Sequence, residues 1–248
     1  NVIMESMRES GLEDPVASQL VQTTVFISDD RLENFRQISP DWKISNPEGY
    51  AKWFEYRMNP RRFMTQFEKA QIDEVPLFKR KTPLQRAIQI LKRHRDNWSR
   101  ENPDSKPISI ILTTLAARAY NQEVDVVAAL ENIVEKMGDW INPGIPRIPN
   151  PVDPNEDFAD RWYRSDCYHL RLEGNFNKWL FQAQKDFKHI TSTTDTEFIC
   201  ELMESKFSLK ANPIELRDRL GSSSSTANII IPKTHTIDPQ NPPKPWKL

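Results

Sequence analysis

Two stretches that each follow a proline constrain this chain most strongly. After Pro83, apolar residues recur at the three- and four-residue spacing of one helix face: Leu84, Ala87, Ile88, Leu91 and Trp98. After Pro107, residues 107–120 are apolar nearly all round, which is typical of a helix buried on every side. Proline is tolerated in the first turn of a helix, where an N–H has no intrahelical partner. We therefore predict helices over 84–98 and 107–120, the second being the most buried.

The rest of the sequence predicts more helix and little strand. The β-branched and aromatic run at residues 23–28 predicts one short strand, whereas residues 1–21 are polar without a sustained period. The five prolines of residues 142–156 indicate an irregular crossing segment. Apolar spacing predicts further helices over 48–58, 60–73, 123–140, 157–163, 168–190, 195–209 and 213–220. The predicted fold class is mainly α.

Three groups of side chains are expected to face the core. The first is a set of aromatic residues: Trp53, Phe54, Trp98 and Trp162. The second is one face of the helix predicted at 60–73: Phe63, Phe67 and Ala70. The third is one face of the helix predicted at 123–140: Val127, Leu130, Val134, Met137 and Ile141.

Composition excludes several classes of protein. The 34 basic and 35 acidic residues give a net charge of -1, which excludes bulk attraction to nucleic acid or an anionic membrane. The sequence contains no run of about 18 apolar residues, the length that a membrane helix needs, and no signal peptide. Two cysteines, Cys167 and Cys200, are too few for a disulfide scaffold and indicate a reducing, cytoplasmic compartment.

The glycines exclude the usual phosphate loops. All six are isolated in the sequence, so neither a Walker loop nor a dinucleotide fingerprint can be assembled from them. Any phosphate must therefore be bound in another way.

Lys92 and Ser109 are the candidate phosphate ligands. At about 100° per residue, Lys92 lies about 80° from Leu84, just outside the apolar stripe of its helix. Ser109 falls in the first turn of the next helix, where backbone N–H groups are unpaired and the helix dipole is positive. An ammonium beside a hydroxyl at a helix amino end suits a phosphate. The spacing alone favours a simpler alternative, in which Lys92 is solvated and Ser109 only fills a helix position.

Three ordered blocks of sequence, one of them made of the two segments at 84–96 and 106–120, resemble bacterial cyclic-oligonucleotide synthases, relatives of cyclic GMP–AMP synthase and oligoadenylate synthetase. The blocks are Ser45–Phe54, Leu84–Asp96 with Lys106–Tyr120, and Asn150–Trp162, and the similarity covers about residues 22–210 in family order. The resemblance implies a helical bundle of the second-domain type of oligoadenylate synthetase and poly(A) polymerase, with one or a few short N-terminal strands. It also implies a cytoplasmic role in anti-phage second-messenger synthesis.

The resemblance assigns roles to two residues. In such enzymes a Lys on the first helix and a Ser opening the second hold a nucleoside triphosphate, and the matching positions are Lys92 and Ser109. The aromatic residue that stacks on the base beside that Ser in the animal enzyme is replaced by Ile110. The resemblance therefore implies a triphosphate clamp without base stacking at this point.

The resemblance also implies a division of the chain. Residues 1–44 would be a remnant of the nucleotidyltransferase core, residues 45–220 the helical nucleotide-binding domain, and residues 221–248 a Ser- and Pro-rich tail. In that tail, an exposed Trp246 beside prolines is a possible docking element for a partner protein.

The catalytic residues of the family have no match in this sequence. Nucleotidyl transfer of this type needs a Gly-Ser turn and an acid-x-acid strand whose carboxylates hold Mg²⁺. Glu123-Val124-Asp125 fits the spacing but opens a helix, and Gly221-Ser222 is followed only by the tail. We predict no catalytic and no metal-binding residue in the chain, and we expect the catalytic half upstream of Asn1.

Three further patterns have a simpler alternative beside a functional one. Four residues could supply zinc ligands, but their spacing is irregular and fits core or surface positions better: Cys167, His169, His189 and Cys200. The basic clusters Lys79–Lys81 and Lys92–Arg95 fit either a nucleic acid or solvated helix surface, and the net charge makes nucleic acid the weaker choice. Arg95 falls within the apolar stripe, so it either extends to solvent or pairs with a buried carboxylate, and Asp96 is not expected to face it.

Two functions remain open from the sequence. The first is the nucleotide-binding half of a cyclic-oligonucleotide synthase, inactive alone and binding nucleoside triphosphates. The second is a non-catalytic scaffold derived from that family, which binds a protein or RNA. Under a third possibility, an unrelated helical structural protein, the similarity of the ordered blocks to the family would be coincidental.

Overall fold

A computed structural model describes residues 2–9, 11–28, 33–38, 43–69 and 81–221. Its elements in chain order are α1 Val2–Glu9, α2 Asp14–Val21, β1 Val25–Ile27, β2 Lys43–Ser45, α3 Pro47–Met58, α4 Pro60–Lys69, α5 Pro83–Trp98, α6 Ser109–Ala119, α7 Val126–Lys136, β3 Pro149–Asn150, β4 Asp153–Asp157, α8 Leu172–Ser192, α9 Thr196–Phe207 and α10 Pro213–Gly221. The mainly α fold class is confirmed.

The helix that carries Lys92 begins with a complete set of local signals. The Thr82 hydroxyl accepts from the Gln85 backbone N–H at 3.3 Å, and the Gln85 side chain accepts from the Thr82 N–H at 2.9 Å. Pro83 occupies the first helical position. This capping box satisfies two N–H groups that the helix itself cannot pair, so the start of α5 is fixed locally.

Helix α6 is the centre of the core, as its composition predicts. It packs against α3, α5 and α7. Most of its side chains are buried: Ile111, Leu112, Thr114, Leu115, Ala116, Ala117 and Ala119. The predicted apolar stripe of α5 is also confirmed, with Leu84, Ala87, Ile88 and Leu91 buried. The four aromatic residues expected in the core lie in it or pack against it.

The carboxyl end of α6 is closed by Arg57 of α3. Its Nε donates to the Ala117 carbonyl at 2.7 Å, and its Nη2 donates to the carbonyls of Arg118 and Tyr120 at 3.1 and 2.6 Å. These carbonyls belong to the last turn of α6, where a helix leaves its acceptors unpaired. The Asn132 side chain donates to the Ala119 carbonyl at 2.8 Å, so the guanidinium and this amide together pair the carbonyls of this helix end.

The N-terminal segment differs from the sequence-based expectation. Residues 1–21, which show no sustained period, include α1 and α2, and their apolar side chains join the common core: Met7, Leu12, Val16, Ala17 and Leu20. Each of these helices has only 8 residues, so neither repeats its apolar face often enough for a period to appear. The predicted strand at 23–28 is present as β1, which pairs antiparallel with β2.

The Pro-rich segment and its continuation also differ. Within residues 142–156, predicted as irregular, β3 begins an antiparallel hairpin with β4. The helix predicted at 157–163 is wrong, because residues 160–162 form a single 3₁₀ turn. The Asp157 carboxylate accepts from the backbone N–H groups of Arg147 and Ile148 at 2.7 and 2.9 Å. These contacts from a distant segment hold Asp157 at the end of a strand.

Two helix details are corrected as well. Helix α8 begins at Leu172 instead of 168, because Arg171 has a left-handed backbone with φ of 47°. Val127 was expected on the buried face of α7, but it is 52% exposed. The buried face of α7 is centred near Ile133, and Val127 lies roughly 120° around the helix from it. Residues 70–73 of the helix predicted at 60–73 lie outside the described residues.

Candidate anion site at the amino end of helix α6

Arg95 joins α5 to the amino end of α6. Its side chain is 5% exposed, and its Nη1 donates to the Pro107 carbonyl and to the Ser109 Oγ, both at 3.0 Å. The position of Arg95 in the apolar stripe was the sequence signal for this role, but that signal did not identify its partners. The guanidinium fixes where α6 begins relative to α5.

The expectation that Asp96 would not face Arg95 is wrong. The Nε and Nη2 of Arg95 both donate to the Asp96 Oδ1, at 3.0 and 2.7 Å, and the Lys106 Nζ lies 3.4 Å from the same oxygen. Adjacent helical side chains diverge by about 100°, but the long Arg side chain bends towards Pro107 and so comes within reach of Asp96. The carboxylate is half-exposed, so the expected buried carboxylate is absent from this contact.

Lys92 lies one turn before Arg95 on α5 and is half-buried. It makes no hydrogen bond or ion pair with the residues that the structure describes. Burial lowers its pKa below the ordinary lysine value, the positive charge of Arg95 lowers the pKa further, and Asp96 opposes both effects. Its ammonium is therefore partly desolvated and lacks an anionic partner in the described part of the chain.

Ser109 is the first residue of α6, which begins two residues after the predicted start at Pro107, so Ser109 lies in the first turn as expected. Ile108 occupies the N-cap position, and its side chain has no acceptor to offer. The first N–H groups of α6 therefore have no intrahelical acceptor and none from the N-cap side chain. The Ser109 side chain is exposed, and its Oγ accepts from Arg95. A hydroxyl that accepts one hydrogen bond still has a proton to donate, and no described residue accepts it. Ile110 packs against the core.

The charges around this helix end favour an anion. Lys92, Arg95 and Lys106 supply three positive charges, and Asp96 supplies one negative charge. The open amino end of α6 adds the positive end of an 11-residue helix dipole. An oxyanion here would receive N–H and O–H donors together with a cation, which is the chemistry of a phosphate site without a glycine loop.

The other sequence candidates occupy structural positions. The Asp125 carboxylate accepts from the N–H groups of Val127 and Ala128 at 2.9 and 3.0 Å and so caps α7. Glu123 accepts from the Asn121 N–H at 3.1 Å. The acid-x-acid pair therefore serves a helix start, as its position indicated.

The possible zinc ligands are dispersed. Cys167 and Cys200 are buried, whereas His169 and His189 are exposed. Within the described ranges, no group of three or more His, Cys, Asp or Glu side chains is placed to hold a metal ion. The same part of the chain has no helix that is long and apolar enough to cross a membrane.

Some candidates cannot be placed. Lys79, Arg80, Ser222 and the tail with Trp246 lie outside the described residues. Lys81 is described, and its Nζ donates to the Gln89 Oε1 at 3.1 Å.

Comparison with known proteins supports the predicted relationship. No family model matches the chain. A c-di-GMP synthase from Roseivirga ehrenbergii is 39% identical over 128 residues, which are 49% of this chain and 34% of the relative. The chain is thus related to the cyclic-oligonucleotide synthases. The match spans about a third of the length of that curated relative.

A solved structure gives a weaker comparison. The CD-NTase CdnG of Bradyrhizobium diazoefficiens, in complex with GTP, is 19% identical and superposes with a TM-score of 0.46. The superposition covers 67% of this chain and 53% of that one.

Proposed function

We propose that this chain is the nucleotide-binding helical half of a nucleotidyltransferase that makes cyclic di- or oligonucleotides. Its role is to hold the triphosphate of a nucleoside triphosphate at the amino end of α6. The observation that carries this proposal is the half-buried Lys92, which has no anionic partner among the described residues and lies beside a buried guanidinium. A bound phosphate would supply the missing negative charge.

Each group at the site has a separate part in this binding. The Lys92 ammonium pairs with phosphate charge, and the Ser109 hydroxyl and the first N–H groups of α6 donate to phosphate oxygens. Arg95 already donates to protein acceptors, so it holds Ser109 in place and adds charge without releasing its own partners. The name of the c-di-GMP synthase relative agrees with a guanine nucleoside triphosphate as ligand.

The proposal assigns the metal chemistry to another part of the enzyme. Nucleotidyl transfer in this family requires Mg²⁺ held by carboxylates, and the described residues do not fit such a site. We therefore propose that this chain forms no product by itself. We propose that the product is a second messenger in anti-phage defence and that the chain acts in the cytoplasm, where nucleoside triphosphates are supplied.

The short sheet offers a docking surface for a catalytic half. Val25, Phe26 and Ile27 of β1 are 48%, 69% and 45% exposed, and β1 is bonded to β2. Side chains alternate between the two faces of a strand, so apolar groups are exposed on both faces. A strand that is apolar on both faces is typical of a sheet covered on each side. We propose that the catalytic half packs on this ribbon.

Exchange of Lys92 tests the proposed clamp directly. Lys92→Met keeps the aliphatic stem and removes the charge, and we expect at least about tenfold weaker GTP or ATP binding, since charged hydrogen bonds contribute about 1.5–3 kcal/mol each. Lys188→Met, an exposed lysine on α8, is the matched control. Calorimetry with GTP, GMP and guanosine would show whether affinity depends on the triphosphate. Equal affinity for all three ligands, or unchanged binding by Lys92→Met, would refute the clamp.

A further inference from the structure

A buried chain of polar groups connects α5 to α8 on the side away from the anion site. His94 is 1% exposed, and its two ring nitrogens each have a partner on α8. The Trp179 Nε1 donates to the His94 Nδ1 at 3.1 Å, and the His94 Nε2 lies 3.0 Å from the Asp186 Oδ2. The ring is also enclosed by Phe187 and Phe207, whose centroids lie 5.7 and 5.4 Å away.

The partners of the ring determine where its proton lies. An indole N–H is a donor only, so the Nδ1 that receives it must be unprotonated. The proton of neutral His94 is therefore on Nε2, which donates to Asp186. A second proton on Nδ1 would place two donors against each other, 3.1 Å apart.

The charges that face the ring come from α8 and α9. Asp186 is buried, accepts from the Gln182 side chain at 2.8 Å and lies 3.6 Å from the Lys206 Nζ. Burial lowers the pKa of His94 most, Asp186 opposes that effect, and Lys206 lowers the pKa further. The carboxylate is thus balanced by Lys206, and the imidazole remains neutral near pH 7.

This network is fixed to the helix that carries the anion site. His94 and Lys92 are two residues apart, so their side chains leave α5 about 200° apart. A rotation of α5 by about 20° would move an atom roughly 8 Å from its axis by roughly 3 Å, as helix geometry requires. A displacement of that size would change the distance of the Lys92 ammonium from the charges of Arg95 and Asp96, which act on it.

We propose that His94 is a positioning residue: held in its Nε2–H form between Trp179 and Asp186, it sets the rotation of α5 and thereby the place of Lys92. The consequence of this positioning for ligand binding rests on the proposed function, whereas its effect on the place of Lys92 is independent of that function. A histidine in this role also makes stability depend on pH. Its pKa is lower in the folded chain than in the unfolded chain, so stability decreases as pH falls below the ordinary histidine value near 6.5.

The test measures Lys92 without requiring a nucleotide. In His94→Phe, which keeps an aromatic ring but removes both hydrogen bonds, NMR of the Lys92 side chain should show its pKa returning towards the ordinary lysine value. Ile148→Ala is a buried exchange in a segment whose backbone bonds Asp157 and Phe158 instead of this network, and it should lower stability and leave the Lys92 pKa unchanged. Histidine ¹⁵N shifts of the unmodified chain should report a proton on Nε2 at pH 7.

The outcomes separate this proposal from the proposed function. GTP binding about tenfold weaker in His94→Phe than in Ile148→Ala supports both, since small displacements of a binding group cost about that much or more. If Lys92 responds to His94→Phe while the unmodified chain binds no nucleotide, the function is wrong and the positioning role holds. A proton on Nδ1, or a Lys92 pKa that His94→Phe leaves unchanged, overturns the positioning role. Trp179→Phe, which removes one of the two hydrogen bonds, replaces His94→Phe if that variant does not fold.

Discussion

The two ends of α6 are both held by an arginine from a neighbouring helix, yet one end is closed and the other is open. At the carboxyl end, Arg57 donates to the carbonyls of the last turn. At the amino end, Arg95 donates to the Pro107 carbonyl, which precedes the helix, and to the hydroxyl of Ser109, which begins it. It supplies no acceptor to the first N–H groups of α6. A guanidinium can satisfy helix acceptors but cannot satisfy helix donors. The same residue type therefore closes one helix end and leaves the other ready for an anion.

Removal of Arg57 should give the largest effect on stability. Arg57→Met leaves the last carbonyls of α6 without their donor, and we expect a loss of about 3 kcal/mol in the free energy of unfolding. Urea unfolding would measure it, with Arg86→Met on the exposed side of α5 as the control. Nucleotide affinity of the folded fraction should not change. A loss below about 1 kcal/mol would mean that this end is not closed by Arg57.

Removal of Arg95 should affect both stability and binding. We expect Arg95→Met to lose about 2 kcal/mol of stability and about tenfold in GTP affinity, because Ser109 loses its donor and the site loses a charge. Arg93 is a matched control on the same helix, since it donates to the carbonyls of Phe207 and Ser208 at 2.6 and 3.1 Å. Arg93→Met should lose stability alone. Equal affinities of the two variants would remove Arg95 from the site.

The titration of Lys92 should make binding depend on pH. The pKa of Lys92 is lowered, so its ammonium, which an anion requires, loses its proton at a lower pH than the ammonium of an ordinary lysine. Calorimetry from pH 7 upward should show GTP affinity decreasing earlier than for an exposed lysine. In the same range the unfolded chain holds more protons than the folded chain, so stability should rise with pH. Lys92→Arg, which stays charged, should abolish the decrease, and a decrease that persists would assign it to another group.

Removal of the Ser109 hydroxyl should have the smallest effect. Ser109→Ala deletes one donor to phosphate, and we expect GTP affinity to fall about threefold, the effect of one neutral hydrogen bond. The control is Thr113→Ala one turn later, whose hydroxyl donates to the Ser109 carbonyl at 2.8 Å. Thr113→Ala should leave the affinity unchanged. A larger loss in Thr113→Ala than in Ser109→Ala would show that helix geometry, and not the hydroxyl, controls binding.

The helices α5 and α6 could be predicted from local sequence. The period of Leu84, Ile88 and Leu91 predicted α5, and the apolar run after Pro107 predicted α6 as the buried helix. The prediction of α5 follows from a repeat of 3.6 residues and from the place of Pro83 in a first turn. The prediction of α6 follows from its apolar composition, since Pro107 precedes the helix. The positions of Lys92 and Ser109 at a helix edge and a helix start were predicted in the same way, and their role as phosphate ligands stays a prediction.

The partners of the buried polar groups could not be predicted. Arg95 was predicted to extend to solvent or to pair with a buried carboxylate, and its contacts with Asp96 and Ser109 depend on where α6 begins relative to α5. Arg57 lies 60 residues from the carbonyl of Ala117 that it contacts. No local rule joins such residues, because their contact exists only when the helices pack.

The sequence by itself determined that α5 and α6 are helical and that α6 is buried on nearly all sides, because these properties depend on neighbours along the chain. Tertiary structure alone decided that an arginine from α3 contacts one end of α6, that an arginine from α5 contacts the other, and that His94 meets Trp179 and Asp186 of α8. Hydrogen bonds between distant side chains depend on how whole helices pack. Apolar periodicity identifies which face of a helix is buried, but it does not fix the exact rotation of the helix or its distance from its neighbours.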